Sequence, residues 1–369
     1  MNKGFISLGS NEGQRIKNIQ ESVVQIQKTI GVLTDLSSLY QTPSWGFDGP
    51  DFLNACVGIK TKLSPAEVLG ELLAIEQQLG RVRTKESGYS SRSIDLDLLF
   101  YEDQIIESDD LILPHPRLEL RNFILHPMRE IAPNFVHPSL EKNMLELSKI
   151  CVDPSLPQIL PLNQWTPDLF TENQMLVLEG NIGVGKTSLA QKIASDYPVA
   201  KLLENFSKNP YLEKFYKQPE RYALPLENYF LEDRYRQFNR FFQNGLDSKM
   251  AVADHSLLKS LIFAKINLSH RDYNDFKKNY KKFSEQWEVP QKVIFLYRPI
   301  DELLKQIKSR GRSYEQNISI DYLEKIDRGY QDFFKTESSF EHQKIDLSDL
   351  DFIDDQRAYQ LLLQRIKAF

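Results

Sequence analysis

Near the middle of the chain, Gly180-Asn181-Ile182-Gly183-Val184-Gly185-Lys186-Thr187 has the residue types and spacing of a loop that holds phosphate. Its glycines let the backbone curl until several N–H groups point at one anion. Residues 175–179 read as a buried strand entering the loop, and Ser188 opens a helical pattern leaving it. The helix N-terminus then adds its partial positive charge. Lys186 would reach the β- and γ-phosphates, and the Thr187 hydroxyl would ligate Mg2+. A glycine-rich turn before an ordinary helix is the competing reading. Strand, loop, Lys-Thr pair and helix in succession favour binding of a nucleoside triphosphate.

A second group of chemistry-bearing residues lies upstream. Asp95 and Asp97 alternate with Ile94, Leu96 and Leu98. On a strand, residues i and i+2 share a face, so both carboxylates point one way and the apolar residues enter a core. Carboxylates side by side repel each other unless a cation lies between them, and Mg2+ bridging nucleotide phosphates meets that need. Arg81, Arg83, Lys85 and Arg92 precede them in a loop carrying Gly88 and several serines, suited to clamping polyphosphate. His115 stands between two prolines and is followed by Arg117 and Arg121. Taken alone, the alternation also fits a solvated sheet face, and the histidine also fits a cap or surface residue.

These residues need elements to position them. Residues 5–8 read as a strand, and Ile16, Ile19, Val23, Ile26 and Ile30 mark a helix that Gly31 is expected to cap. Strands are expected over 32–40, 52–60 and 94–101, with a helix from Pro65 to Leu79 behind the N-cap Ser64. The order β-α-β-β-α-β predicts a ferredoxin-like α+β domain over 1–165. The prolines between 152 and 167 predict an extended, semi-rigid connection with a boundary at 165–173. Beyond it, strands expected at 175–179, 199–203, 251–254, 293–297 and 344–347 alternate with helices. That pattern predicts a second, α/β domain over 174–369, with a parallel sheet flanked by helices and its ligand at the carboxyl ends of the strands.

Bulk properties narrow the function classes. A length of 369 residues allows two or three domains, each with its own core. The formal net charge of −5 gives no reason to expect a nucleic-acid or membrane partner. The two cysteines, Cys56 and Cys151, form no metal-ligand pattern or disulfide framework. With no signal-peptide pattern and no apolar run near the ~20 residues of a bilayer span, a cytoplasmic location is expected.

Several motifs in the first half stand together: Leu8-Gly9-Ser10-Asn11, Tyr40-Gln41-Thr42-Pro43, Phe52-Leu53-Asn54-Ala55, Gly80-Arg81-Val82-Arg83, Arg92-Ser93-Ile94-Asp95-Leu96-Asp97, Pro114-His115-Pro116 and Arg121-Asn122-Phe123. Through them, residues 1–160 resemble 6-hydroxymethyl-7,8-dihydropterin pyrophosphokinases of folate biosynthesis. The resemblance implies pyrophosphoryl transfer from ATP to the pterin hydroxymethyl group, leaving AMP. It implies that Asp95 and Asp97 hold two Mg2+ ions, that Arg81, Arg92 and His115 contact phosphates, and that Arg83 assists. Phe52 and Phe123 would sandwich the pterin, Thr42, Pro43 and Asn54 would read its edge, and Glu76 would support ATP. The loop over residues 84–91 is one residue longer than the resemblance implies, with Tyr89 where an aromatic, often Trp, is usual.

The second half resembles the deoxynucleoside kinases. The resemblance rests on the phosphate loop, Glu204-Asn205-Phe206, Tyr229-Phe230-Leu231 with Arg234, Asp254-His255-Ser256 and Arg310-Gly311-Arg312. It implies ATP-dependent phosphorylation of a deoxynucleoside 5′-hydroxyl. Glu204 would be the base, Gly180 to Ser188 would bind ATP with one Mg2+ at Thr187, and Arg310 and Arg312 would form a lid. Glu227, Arg234, Asp254 and His255 would face the nucleoside, and a homodimer through this domain is the family expectation. Two residues depart from the family. His255 replaces an arginine that holds the base carboxylate and the acceptor hydroxyl. Glu227 replaces a base-gripping glutamine, and would favour a base presenting N–H donors, as guanine does, or else face solvent. These departures leave open a nucleotide-binding regulatory or assembly module, or a kinase for a non-nucleoside.

Overall fold

The computed structural model describes residues 1–44, 47–81, 91–170, 174–243, 250–285, 292–336 and 341–369. The chain forms two compact units. Unit 1 comprises Met1–Leu169 together with Leu350–Phe369, and unit 2 comprises Phe170–Asp349.

Unit 1 is built on an antiparallel sheet. Its strands are β1 (Asn2–Ser10), β2 (Gly31–Leu36), β3 (Tyr40–Thr42), β4 (Phe52–Thr61) and β5 (Asp95–Tyr101). A hairpin of β6 (Ile106–Glu107) and β7 (Ile112–Leu113) follows, and β8 (Gln158–Ile159) extends the edge of the sheet. The main order is β5-β1-β4-β3-β8, with β2 also paired to β4. Helices α1 (Arg15–Thr29), α2 (Pro65–Gln78), α3 (Asn122–Ile131) and α4 (Met144–Ile150) cover it. Phe5, Cys56, Leu99 and Phe100 meet Ile124, Leu125 and Met128 of α3 in one core. The expected Ser64 cap is a full capping box, in which Ser64 and Glu67 satisfy each other's backbone N–H groups.

Two sequence expectations change in unit 1. The strand expected over 32–40 is interrupted between Leu36 and Tyr40 and forms β2 and β3. Gly31 does not cap α1 in a left-handed conformation; Ile30 ends the helix and Gly31 begins β2. Glycine is still required there, because a Cβ would lie 2.4 Å from the Lys60 carbonyl oxygen.

Unit 2 has a wholly parallel sheet of β9 (Met175–Gly180), β10 (Ala200–Leu202), β11 (Ala251–Ala253), β12 (Lys292–Tyr297) and β13 (His342–Asp346), in the order β10-β11-β9-β12-β13. Its helices are α5 (Lys186–Asp196), α6 (Leu212–Lys217), α7 (Pro219–Gln243), α8 (Leu257–Asn267), α9 (His270–Ser284), α10 (Ile300–Arg310) and α11 (Ile320–Thr336). β9 and β11 are buried along their whole length, the pattern of parallel strands covered on both faces. The phosphate loop, Glu204 and Asp254 all follow the carboxyl ends of strands. Among the described residues, no helix is long and apolar enough to cross a membrane.

The last helix, α12 (Gln356–Lys367), is expected from sequence to end the second domain, yet residues 350–369 cluster with unit 1. The helix packs on β2 and α1 and buries Leu361, Leu362, Leu363 and Ile366. Gln364 Nε2 donates to the Trp165 carbonyl at 2.7 Å, and Arg365 Nε donates to the Leu33 carbonyl at 2.9 Å. Trp165 is itself fully buried, its indole N–H bonded to the Ser37 carbonyl at 2.9 Å. Leu362→Ala should therefore cost unit 1 about 2–5 kcal/mol, the usual cost of emptying a leucine site in a core. Thermal unfolding followed by intrinsic fluorescence and by loss of unit 1 ligand binding should show the same downward shift.

Candidate active sites

The cleft of unit 1 follows from strand register. Gly9 of β1 lies between Asp95 of β5 and Asn54 of β4, and Ser7 lies between Asp97 and Cys56. Directly paired residues share a face, so both aspartates and Asn54 project to the same side of the sheet. A Cβ at Gly9 would stand 3.2 Å from Asn54 Oδ1, so glycine keeps the floor open. Above it lies a cavity of about 330 Å3 lined by Thr42, Pro43, Phe52, Asn54, Arg81, Arg92, Asp95, Asp97, His115 and Phe123, all expected from sequence. The His115 N–H donates to the Leu99 carbonyl at 2.9 Å, which fixes the histidine beside β5.

Charges in this cleft are strongly coupled. Arg81 contacts both Asp95 and Glu76, and Arg92 lies 3.0 Å from the other Asp95 oxygen. Burial, then the neighbouring Asp95 charge, raises the Asp97 carboxyl to about 7. Burial, then Arg121, lowers His115 to about 4, so its imidazole is neutral at pH 7. His115 Nε2 is 3.7 Å from Asp97 Oδ1. Asp95 and Asp97 offer oxygen donors on one face, with repulsion that a divalent cation would relieve, and this donor set fits Mg2+. Glu76 is 2% exposed and does not line the cavity. It accepts from Arg81 and, at 2.9 Å, from the Leu96 N–H, so it anchors the arginine and strand β5. Arg83 and Tyr89 lie outside the described residues.

In unit 2 the loop from Gly180 to Thr187 leads into α5. Gly180 has φ +142°, and a Cβ there would lie 2.4 Å from the Leu296 carbonyl oxygen. Ile182, Gly183, Gly185, Lys186, Thr187 and Ser188 line a cavity of about 390 Å3. Asn181 and Val184 do not; the Asn181 amide donates to the Leu323 carbonyl at 2.8 Å, and Val184 is buried. Lys186 Nζ bonds the carbonyls of Gly180 and Asn181 at 2.7 and 2.8 Å. Burial, then the nearby Lys259 charge, lowers its ammonium to about 7. The Thr187 hydroxyl donates to Asp254 Oδ2 at 2.5 Å, and Asp254 Oδ1 accepts the Glu204 N–H at 2.9 Å. The Thr187 hydroxyl and this carboxylate are hard oxygen donors beside the phosphate loop, which suits Mg2+.

Glu204 is the most tightly held group. Arg234 grips Oε1 through Nε at 2.9 Å and through its terminal nitrogen, and Lys259 Nζ stands 2.6 Å from Oε2. Burial opposes its charge, but Lys259 and Arg234 outweigh that and hold the carboxyl well below the usual range. Arg310 and Arg312 line the same cavity and both contact Glu315. The Arg312 guanidinium also lies over the Phe206 ring, 4.6 Å from its centroid.

The nucleoside-facing set is only partly as expected. Glu227 and Arg234 line the cavity. Glu227 is 1% exposed and does not face solvent; the Asn267 amide donates to Oε1 at 2.8 Å, while buried Oε2 has no hydrogen-bond partner among the described residues. Burial raises its carboxyl to about 7. Asp254 lies beside Thr187 rather than in the cavity wall. His255 is fully buried outside the wall, its ring edge-on to Phe238 at 5.1 Å and Nε2 3.4 Å from Gln237 Oε1. The chain leaves β11 with the Asp254 and Ser256 side chains bonded to Thr187 and Glu179, and His255 lies against α7. Lys259, Asn267, Tyr322 and Glu315 line the cavity without having been expected. Lys259 had a signal: a lone cation in the apolar run Leu257-Leu258-Lys259-Ser260-Leu261-Ile262.

Comparison with known proteins bears on both halves of the chain. Residues 176–369 match the family model for deoxynucleoside kinase, and residues 5–133 match that for 7,8-dihydro-6-hydroxymethylpterin-pyrophosphokinase. A Synechocystis 2-amino-4-hydroxy-6-hydroxymethyldihydropteridine pyrophosphokinase is 39% identical over 143 residues, 38% of this chain and 72% of that protein. The Pneumocystis carinii folic acid synthesis protein fol1 is 41% identical over 159 residues, 42% of this chain but only 21% of that longer protein. Bacillus subtilis deoxyguanosine kinase is 32% identical over 160 residues, 42% of this chain and 76% of that protein. The chain thus belongs to the deoxynucleoside kinase family through its second half and to the hydroxymethylpterin pyrophosphokinase family through its first, two kinases fused in one polypeptide.

Proposed function

We propose that unit 1 transfers pyrophosphate from ATP to 6-hydroxymethyl-7,8-dihydropterin, and that unit 2 phosphorylates the 5′-hydroxyl of a purine deoxynucleoside, deoxyguanosine foremost. In unit 1 the pterin hydroxymethyl oxygen attacks the β-phosphorus and releases its proton to solvent, the α–β bridging bond breaks, and AMP leaves with the electron pair. Phe52 and Phe123 supply flat apolar faces for the ring, and Asn54, held by its bond to Thr42 at 2.8 Å, reads the pterin edge. Arg81, Arg92 and neutral His115 surround the charge that develops on the phosphates. Asp95 and Asp97 are the residues that would hold Mg2+, which offsets phosphate charge when bound. Asp97→Asn should lower AMP release at least a hundredfold, as expected for loss of a charged group in the transferring site. Nucleoside phosphorylation by the same preparation should be untouched; AMP release at the wild-type rate would remove Asp97 from the site.

In unit 2, Glu204 accepts the proton of the 5′-hydroxyl, Lys186 and the loop amides hold the β- and γ-phosphates, and Thr187 would hold Mg2+. Arg310 and Arg312 close over the transferring phosphoryl group. Glu204→Gln should reduce kcat about a hundredfold or more with little change in ATP affinity. Lys186→Ala should abolish turnover; phosphorylation that survives both changes would exclude these roles.

The observation that carries the base preference is Glu227 Oε2, buried in the cavity wall and lacking a donor. The N1–H and 2-amino group of guanine present adjacent donors to such an oxygen. The name of the Bacillus relative, deoxyguanosine kinase, supports the same reading. Glu227→Gln should lower kcat/KM for deoxyguanosine about tenfold and raise it for deoxyadenosine, because a glutamine amide pairs with adenine's N–H and ring nitrogen together. The accepting form of Glu227 is its carboxylate, present above about 7. KM for deoxyguanosine should accordingly fall as pH rises from 6 to 8 in the wild type. A flat KM–pH profile, or one shared by Glu227→Gln, would rule this assignment out.

A further inference from the structure

The resemblance to deoxynucleoside kinases implies an arginine where this chain has His255. Glu204 nevertheless has a cation on each carboxylate oxygen. Arg234 comes from α7 and occupies Oε1 with two donors. Lys259 comes from the first turn of α8, four residues after His255, and places Nζ 2.6 Å from Oε2. Both cations are buried, and both line the cavity. An ionised carboxylate has about four acceptor positions. Two on Oε1 are taken by Arg234 and one on Oε2 by Lys259, so the open position belongs to Oε2, beside the lysine.

We propose that Lys259 has taken over the task of the missing family arginine: it orients Glu204, and the acceptor hydroxyl shares Oε2 with the Lys259 ammonium. This rests on the nucleoside kinase reading above. In the step itself, the 5′ oxygen forms its bond to the γ-phosphorus, the β–γ bridging bond breaks with its electrons leaving on ADP, and the hydroxyl proton passes to Glu204 Oε2. Lys259 keeps its proton throughout. It fixes the carboxylate plane and offsets the negative charge gathering between Glu204 and the incoming oxygen. Arg234 alone cannot do this, because its two donors leave Oε2 unattended. The exchange also accounts for His255. With the cation supplied from the first turn of α8, position 255 is free to pack against Phe238, and a small neutral ring replaces a long charged side chain.

The test uses the full chain with Mg·ATP and deoxyguanosine. Lys259→Met should lower kcat about a hundredfold, in the range of an impaired general base, while KM for ATP stays within about twofold. Lys259→Arg should recover most of the loss. The decisive variant restores the family pattern: adding His255→Arg to Lys259→Met should raise kcat at least tenfold over Lys259→Met alone. A merely structural lysine would not be rescued from position 255. Wild-type kcat in Lys259→Met, or no rescue in a double variant that melts like the wild type, overturns the proposal. If Lys259→Met does not fold, Lys259→Gln replaces it, with the same loss and the same rescue required. A wild-type chain that phosphorylates no nucleoside sinks the parent reading first and takes this one with it.

Discussion

A charge buried without an opposite charge beside it costs several kcal/mol, and both sites of this chain are arranged around that cost. In unit 1, Glu76 and Asp95 share Arg81. In unit 2, Glu204 takes Arg234 and Lys259, while Arg310 and Arg312 share Glu315. Phosphoryl transfer gathers negative charge in a small volume, so each site must hold cations ready before substrate arrives. The carboxylates keep those cations in place in the ligand-free protein. ATP phosphates can then compete for Arg81, Arg92, Arg310 and Arg312, which are only partly buried. Glu204, Arg234 and Lys259 are almost wholly enclosed and form the fixed part. Deep pairs position the reacting groups, and partly exposed pairs exchange partners.

What the sequence revealed follows the same physics. Where function depends on short-range geometry, residues alone located it. Asp95 and Asp97 share a face because a strand alternates, and the phosphate loop sits between strand and helix because its glycines permit no other residue at Gly180. The parallel sheet of unit 2 was legible for a related reason, since buried parallel strands read as unbroken apolar runs alternating with helices, whereas its strand order was not. Where function depends on which of several side chains turns inward, the sequence was silent. His255 precedes α8 and Lys259 lies in its first turn, and the fold turns the histidine to Phe238 and the lysine to Glu204. Glu76, expected to support ATP, anchors Arg81 and β5, a placement that rests on a 20-residue separation closed by the fold.

The two departures from the kinase family differ in consequence. His255 removes a charge that Lys259 replaces, so the balance around Glu204 is kept and the chemistry is conserved. Glu227 has no such compensation. Its Oε1 is bonded to Asn267 and its Oε2 to none of the described residues, so the wall of the cavity holds an acceptor waiting for a donor. An unanswered buried carboxyl lowers stability, and burial accordingly pushes it toward the protonated form. Such a group is tolerable at a binding site, where the ligand supplies the missing partner and recovers the desolvation cost. One change is thus a repair of the catalytic apparatus, and the other is a statement about what binds.

The last helix makes the order of the chain differ from the order of the fold. The kinase family match runs through residue 369, yet α12 places Leu361, Leu362, Leu363 and Ile366 in the core of unit 1. Cutting the chain at the linker therefore does not yield two intact pieces. A fragment ending at 169 loses a helix that covers β2 and the Trp165 region, and its carbonyls at Leu33 and Trp165 lose their donors. A fragment starting at 174 carries the same helix with a row of large apolar side chains and no sheet to receive them, a contiguous patch prone to association. Inactivity or aggregation of either fragment would then report on the missing helix or the orphaned one, and not on the chemistry of its site. The natural unit for enzymology is the whole chain, with point substitutions at Asp97 or Glu204 silencing one site at a time.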